Sequence, residues 1–336
     1  MLSVSGPDLE ANPLDAIPAV FLMGPTSSGK TDLAVQIAAE FPCEIISVDS
    51  VMIYRGMDIG SAKPGKDILR ACPHHLIDIL DPAEIYSAAN FRADALRLIR
   101  EIHSRGHIPL LTGGTMLYFR TLQRGLSGMP GASPRIREKI NRLAEQQGWK
   151  GMHARLAQID PKAAANIHPN DPQRIQRALE VYEASGIPIS IWHATPGPPG
   201  PVFRALKLAL IPEDRSELHR QIRQRFDTML ANGFLDEVEA LRQRRELHSG
   251  MPAVRSVGYR QAWQYLAGEC SYETMHEKAV IATRQLAKRQ MTWLRSETGL
   301  TRIHAGQYGV GDIYRTIHSH MEALTCYTTG ALDRLR

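Results

Sequence analysis

The chain has 336 residues, 43% of them hydrophobic and 22% charged, a composition that fits an ordinary folded protein and excludes a largely disordered one. No apolar run approaches the ~18 to 20 residues of a membrane helix and the N-terminus lacks a basic segment followed by an apolar one, so a cytoplasmic chain without a membrane partner is expected. A net charge of +5 favours polyanionic partners, and the scattered Cys43, Cys72, Cys270 and Cys326 suggest neither a disulfide framework nor a zinc site.

Ala16 to Met23 is a short apolar run ending at a Gly-rich turn, and Thr31 to Phe41 then carries apolar residues at helical spacing, which reads as strand, loop and helix. Glu44 to Val48 is a second strand ending in Asp49 and Ser50, with Gly56 and Gly60 marking loop structure after it. Asn90 to Arg105 presents one apolar helical face and stops at Gly106. Ile108 to Leu111 is a further strand that runs into Thr112, Gly113, Gly114 and Thr115, and Met116 to Leu126 reads as helix. This alternation predicts an α/β fold of the P-loop NTPase type, a mainly parallel sheet with flanking helices whose ligands bind at the strand C-termini.

From Ser127 the pattern changes, because Gly128, Pro130, Gly131 and Pro134 break the chain and the stretch to about Ser185 is helical without a strand. Pro196 to Pro201 reads as a turn-rich connector, and Leu206 to Ile211 returns as a strand. The expected core is therefore discontinuous, residues 14–126 and 202–300, with a mostly helical insertion domain at 127–201. Ser216 to Arg295 reads as helices separated by Gly233, Gly250, Pro252, Gly258 and Gly268. The first dozen residues and a C-terminal tail, 301–336, are expected to be frayed or lightly packed.

Gly24, Pro25, Thr26, Ser27, Ser28, Gly29, Lys30 and Thr31 fit G-x-x-x-x-G-K-[ST] in the strand-to-helix context that motif requires. Small residues let backbone N–H groups curl around phosphate oxygens, the helix N-terminus adds partial positive charge, Lys30 neutralises, and Thr31 can ligate magnesium. The plain alternative is a Gly/Ser-rich surface turn that holds a lysine. The loop recognises a diphosphate and does not disclose what the diphosphate carries.

Asp49 and Ser50 end the second strand on the same sheet edge, where an aspartate can take a proton from an attacking amine or hold a metal-bound water, or can simply cap a loop. Gly113, Gly114 and Thr115 end another strand there and permit close approach of a ligand, or form a tight turn with a helix cap. Lys278, Arg284, Lys288, Arg289 and Arg295 share a stretch with no acidic residue, and Arg284 with Lys288 and Gln285 with Arg289 lie four apart. They form a basic strip able to follow a phosphate backbone, or a solvated face. Gln173, Arg174, Ile175, Gln176 and Arg177 offer amides and guanidinium groups for bases and phosphates, or form a solvated helix face. Arg255, Ser256, Val257, Gly258, Tyr259 and Arg260 offer a surface for a base, or a turn between helices.

Taken together, GPTSSGKT at Gly24 to Thr31, DSVMIYRGMDIGSAKP at Asp49 to Pro64, GGTMLY at Gly113 to Tyr118 and HPNDPQRIQRALEVYE at His168 to Glu183, with RSVGYRQ and TRQLAKRQMTWLR, resemble the tRNA dimethylallyltransferases, and more nearly their bacterial form. The resemblance runs from roughly Ala19 to Arg295. It implies transfer of a dimethylallyl group from dimethylallyl diphosphate to N6 of adenosine 37, 3′ of the anticodon in tRNAs reading codons that begin with U, with Mg2+ as cofactor and pyrophosphate released. It implies that Lys30 and Thr31 hold diphosphate and metal, that Asp49 is the general base and that Thr115 assists at the donor. It also implies contacts to the tRNA anticodon stem-loop from Asp49, Ser50, Val51, Met52, Thr115, Arg137, Gln173 to Arg177 and Arg255 to Arg260, and from Arg284, Gln285, Lys288, Arg289, Gln290 and Met291. The adenine is expected to flip into a channel leading to the P-loop. Ser28 and Ser61 are small departures from the family pattern.

No feature implies an obligate protein partner. The rival readings are a P-loop small-molecule kinase, which would make ADP, and a nucleic-acid-stimulated NTPase. Arg223 and Arg225 are both candidates for the leaving group, and helix phase does not choose between them.

Overall fold

In the computed structural model, which describes residues 18–125, 128–195 and 204–305 together with 315, 318 and 319, Pro18–Met23 forms β1 with all six residues buried. A parallel strand covered on both faces is a continuous apolar run, which is why PAVFLM shows no alternation. Lys30–Glu40 (α1) follows, then Cys43–Val48 (β2), the short Lys66–Ala71 (α2), the two-residue His74–His75 (β3) and Ala88–Ser104 (α3). The Ser87 hydroxyl and the Asn90 side chain form a reciprocal cap that starts α3 two residues before the apolar periodicity does. Ile108–Gly113 (β4) and Met116–Arg124 (α4) come next.

Pro134–Ile159 (α5), Pro161–Asn166 (α6), Pro172–Ser185 (α7) and Ile189–Ala194 (α8) contain no strand. Arg204–Pro212 (β5), Arg215–Ala231 (α9), Phe234–Arg242 (α10), Tyr259–Leu266 (α11), Tyr272–Ser296 (α12) and Leu300–Ala305 (β6) complete the chain. Among the described residues the chain divides into two compact units, 18–122 with 204–305, and 123–195.

The first unit is built on one sheet in the order β3-β2-β4-β1-β5-β6, every pair parallel. Alternate residues feed opposite faces. Val20, Leu22, Ile45, Leu110 and Leu208 meet Leu33, Ala34 and Ile37 of α1, while Phe21, Met23, Ile46, Val48 and Leu111 meet α3 and α4. Helices α9 to α12 pack among themselves and onto Ile53, Tyr54 and Met57 of the loop after β2. The ends of β1, β2 and β4 therefore share one edge, with two helical layers beside it.

The second unit has its own core, including Ile140, Leu156, Ile175 and Val181. Within it, Gly148 at φ 68° and ψ 160° interrupts α5, and the buried Asp160 accepts from the N–H groups of Ala163 (2.9 Å) and Ser190 (2.8 Å).

The tail expected from 301 onward is corrected at its start, since residues 301–305 belong to β6, in register with β5 from Lys207↔Leu300 to Pro212↔Ala305. An edge strand needs few apolar positions, and here Ile303 is buried among polar Thr301, Arg302 and His304. Residues 1–17, the positions 127 and 201 bounding the expected insertion, the connector Pro196 to Pro201 and most of the tail lie outside the described residues.

Candidate active site

The loop between β1 and α1 turns through two left-handed residues, Ser27 at φ 60° and Gly29 at φ 82°, the latter as the N-cap of α1. Such a bend brings successive backbone amides round a concavity suited to an anion. Lys30 Nζ donates to Pro25 O at 3.1 Å, and the hydroxyls of Ser27 and Ser28 are buried without a hydrogen-bond partner among the described residues. Two cavities, of about 320 and 1040 Å3, meet here and share Ser27, Lys30, Thr31, Pro64, Arg225 and Met229.

Burial pulls the Lys30 ammonium down to about 8, against the opposing pull of Asp49 and with a further push from Arg225. Arg225 itself is held below the usual guanidinium range by burial, opposed by Asp49 and Asp32. Two half-buried cations beside one loop form a site for a polyanion, because an anion relieves both. Arg223 faces elsewhere, donating to Glu277 at 2.9 Å on the surface. The phase was present in the sequence: Leu218, Ile222 and Phe226 are buried at i, i+4 and i+8, and Arg225 lies three after Ile222 on that face.

Asp49 leaves β2 with its Oδ1 accepting from the N–H groups of Val51 (2.8 Å) and Met52 (3.3 Å). It therefore caps its own loop as well as lining the smaller cavity, with Oδ2 free of hydrogen bonds among the described residues. Ser50, Val51 and Met52 line the same cavity, as do Thr112, Gly113 and Gly114, whereas Thr115 lies one residue beyond the lining and its N–H donates to Val48 O at 3.2 Å. Close approach explains the glycine at 113, since a Cβ there would stand 2.1 Å from Val48 O. One part of the wall is apolar, made by Ile222, Phe226, Met229, Phe234 and Leu286.

Two side chains from distant helices hold these loops. The Glu237 carboxylate accepts from the N–H groups of Asp58 (2.8 Å), Ile59 (2.7 Å) and Gly60 (3.1 Å) and from Tyr259 Oη (2.7 Å). Gln290 on α12 bonds both Thr26 and Gly114. Neither role is visible in sequence, where Glu237 falls in an ordinary first helical turn and Gln290 among basic residues. His74, which also lines the cavity, was likewise missed; its Nδ1 lies 2.7 Å from Cys72 O and its Nε2 is buried without a hydrogen-bond partner among the described residues.

Of the stretch Arg255 to Arg260, the first four residues line the cavity, Tyr259 is buried at its back and Arg260 is exposed. Burial and Glu237 push the Tyr259 phenol far above its usual range. On α12, Arg284, Lys288 and Met291 line a separate cavity of about 240 Å3 with Arg215, His219 and Arg295, while Gln285 and Arg289 are exposed. In the second unit, Arg137 (3.0 Å) and Arg177 (3.0 Å) both bond the buried Glu180 and Gln176 bonds Asn141 at 2.6 Å. Gln173 and Arg174 line a groove of about 540 Å3, and Ile175 is buried in the unit's core.

A family model described as IPP transferase matches residues 52–297. The chain belongs to the IPP transferase family. A relative named tRNA dimethylallyltransferase from Thioalkalivibrio sulfidiphilus (strain HL-EbGR7) is 56% identical over 306 residues, 91% of this chain and 96% of its own length. One of the same name from Alkalilimnicola ehrlichii is 58% identical over 289 residues, 84% and 89% of the two chains. Among solved IPP transferase structures, the tRNA isopentenylpyrophosphate transferase of Bacillus halodurans is similar with a TM-score of 0.67 and 32% identity over 94% of this chain and 99% of that one. A eukaryotic dimethylallyltransferase described as acting on tRNA is similar at 0.70 and 26%, over 85% and 73%. The IPP transferase match begins at Met52, beyond the loop at Gly24 to Thr31.

Proposed function

We propose that the chain transfers a dimethylallyl group from dimethylallyl diphosphate to N6 of adenosine 37 in tRNA, 3′ of the anticodon, in tRNAs reading codons that begin with U, and releases pyrophosphate. The observation that carries this reading is the meeting of two cavities at Lys30, Thr31 and Arg225, with a half-buried carboxylate, Asp49, on the walls of one of them. A donor and an acceptor can then approach the same point from different sides.

In this reading the donor's diphosphate lies in the Gly24 to Thr31 cradle against Lys30 and Arg225. Negative charge grows on the leaving diphosphate as its bond to C1 breaks, and two pre-placed cations stabilise that charge more than they stabilise the intact ester. The apolar wall of Ile222, Phe226, Phe234 and Leu286 keeps water from the allylic carbon. The adenine N6, in a base flipped out of its stack, attacks C1, and its proton passes to the unbonded Oδ2 of Asp49. The remaining contacts to the anticodon stem-loop fall to Arg255 to Val257, to exposed Gln285 and Arg289, and to the second unit through Arg174 and its neighbours.

Magnesium would be held here by Thr31, which lines both cavities beside Lys30. When bound it supplies charge neutralisation to the leaving diphosphate. No helix among the described residues is long and apolar enough to cross a membrane. The test is incubation with unmodified tRNA and labelled dimethylallyl diphosphate. Label on adenosine 37 with equimolar pyrophosphate is expected; ATP-dependent phosphorylation of an acceptor, with that adenosine unaltered, overturns the proposal.

A further inference from the structure

Gln290 sits two residues from Lys288 and next to Arg289, in the stretch that sequence groups with nucleic-acid contacts. Its side chain turns the other way. It is 8% exposed, its Oε1 accepts the Thr26 N–H at 2.9 Å, and its Nε2 donates to the Gly114 carbonyl at 2.8 Å. The partners fix the amide's orientation, since a backbone N–H only donates and a carbonyl only accepts, and a flipped amide would oppose like with like at both ends. The fit is close. A Cβ at Gly114 would stand 2.3 Å from Nε2, so the glycine is what admits the amide.

Thr26 belongs to the diphosphate cradle and Gly114 to the turn after β4, and both line the smaller cavity. One side chain thus ties together segments 264 and 176 residues away from it in sequence. We propose that Gln290 is a positioning residue for prenyl transfer: it fixes the Thr26 limb of the cradle against the Gly113–Gly114 wall and makes no contact with nucleic acid. The Thr26 N–H, committed to Gln290, is then a structural strut of the cradle and not a phosphate ligand. Misplacement of either wall separates the leaving diphosphate from the attacking amine, and transfer is steeply sensitive to that distance.

The inference rests on the proposed reaction, which the wild-type assay with unmodified anticodon stem-loop RNA and dimethylallyl diphosphate checks by itself. Gln290→Met keeps the length and removes both hydrogen bonds. It is expected to lower kcat/KM for dimethylallyl diphosphate by roughly 10- to 100-fold while the Kd for the stem-loop RNA changes less than about threefold. Wild-type donor kinetics with weakened RNA binding would instead make Gln290 a nucleic-acid contact and overturn the proposal.

Gln290→Glu gives a second measurement that a merely space-filling role does not move. An ionised carboxylate still accepts from Thr26 but repels the Gly114 carbonyl, whereas a protonated one restores both bonds. Its deficit relative to wild type should shrink as pH falls, with no such recovery in Gln290→Met. A deficit independent of pH overturns the proposal even if the methionine variant does not fold.

Discussion

Gly60 and Glu237 are joined by a hydrogen bond of 3.1 Å from the glycine N–H to a carboxylate 177 residues further along the chain. The same carboxylate holds Asp58 and Ile59, and the ring of Tyr259 closes over the glycine, where a Cβ would stand 2.6 Å from the Tyr259 ring and 2.2 Å from that of Phe234. Gly60→Ala therefore overpacks a filled space and should cost about 1 to 3 kcal/mol, read as a lowered Tm. Glu237→Gln leaves charge-assisted bonds unmade and should cost about 1.5 to 3 kcal/mol while also lowering kcat, because Gly60 and Ser61 line the cavity. An unchanged Tm in both variants would disconnect this pair from stability.

Asp49→Asn keeps an oxygen to accept from Val51 and Met52 but removes the proton acceptor. Turnover should fall by roughly 100- to 10,000-fold with tRNA affinity nearly unchanged. Single-turnover transfer at the wild-type rate would discard Asp49 as the base. Asp49→Ala also loses the cap, so a larger fall in Tm is expected for it than for the asparagine variant.

Lys30 gives the donor's affinity a pH dependence of definite sign. With its free-site value lowered to about 8, the lysine is charged below pH 8 and neutral above it, and a bound diphosphate favours the charged form. Binding therefore takes up a proton above pH 8, and KM for the donor should rise by up to about tenfold per pH unit there, with no lysine-linked change below. Asp49→Asn removes an anion that supports the ammonium and should move the onset to lower pH. A flat KM across pH 7 to 9.5 would contradict the assignment.

Arg225→Ala should lower kcat/KM for the donor by roughly 100- to 1,000-fold, since it removes a half-buried cation from the developing charge. Arg223→Ala should leave the same constant nearly unchanged, because a surface pair with Glu277 carries at most about 1 kcal/mol. The reverse order of effects would reassign the leaving-group contact.

Far from the site, Glu44 accepts from Arg105 (2.6 and 2.9 Å) and lies against His75 (2.7 Å) and His107 (3.0 Å). The Arg105 guanidinium first, then the imidazoles, hold its carboxyl down to about 2 against the cost of burial. A depressed carboxylate stabilises the fold fully above its unfolded value near 4.5, and that contribution is lost as pH falls through about 2. Glu44→Gln should lose about 2 kcal/mol at pH 7 and show a flatter stability curve between pH 4.5 and 2 in denaturant titrations.

The parts of the fold legible in sequence are those whose cause is local. The P-loop, the apolar runs of β1, β2 and β4 and the capped α3 each carry their reason within about a dozen residues. The all-helical stretch of α5 to α8 was legible from proline and glycine punctuation. β6 was not, because a sheet edge imposes little pattern on LTRIHA beyond Ile303. Arg225 was within reach through the spacing of Leu218, Ile222 and Phe226. The hydrogen bonds of Gln290 and Glu237 were out of reach, since each acts on backbone groups that only the folded chain brings near.

The central strand has a further consequence for synthesis. β1 obtains one neighbour from β4, but its other edge, from Pro18↔Arg204 to Met23↔Ala209, is covered only by β5. At elongation rates of about 5 to 20 residues per second, the stretch between Pro18 and Arg204 takes roughly 10 to 40 s to emerge from the ribosome. Throughout that interval a fully apolar strand offers unpaired backbone to any other chain, a recognised route to aggregation. Nascent chains stalled before residue 204 should accordingly be chaperone clients, and their solubility should recover once β5 has been made.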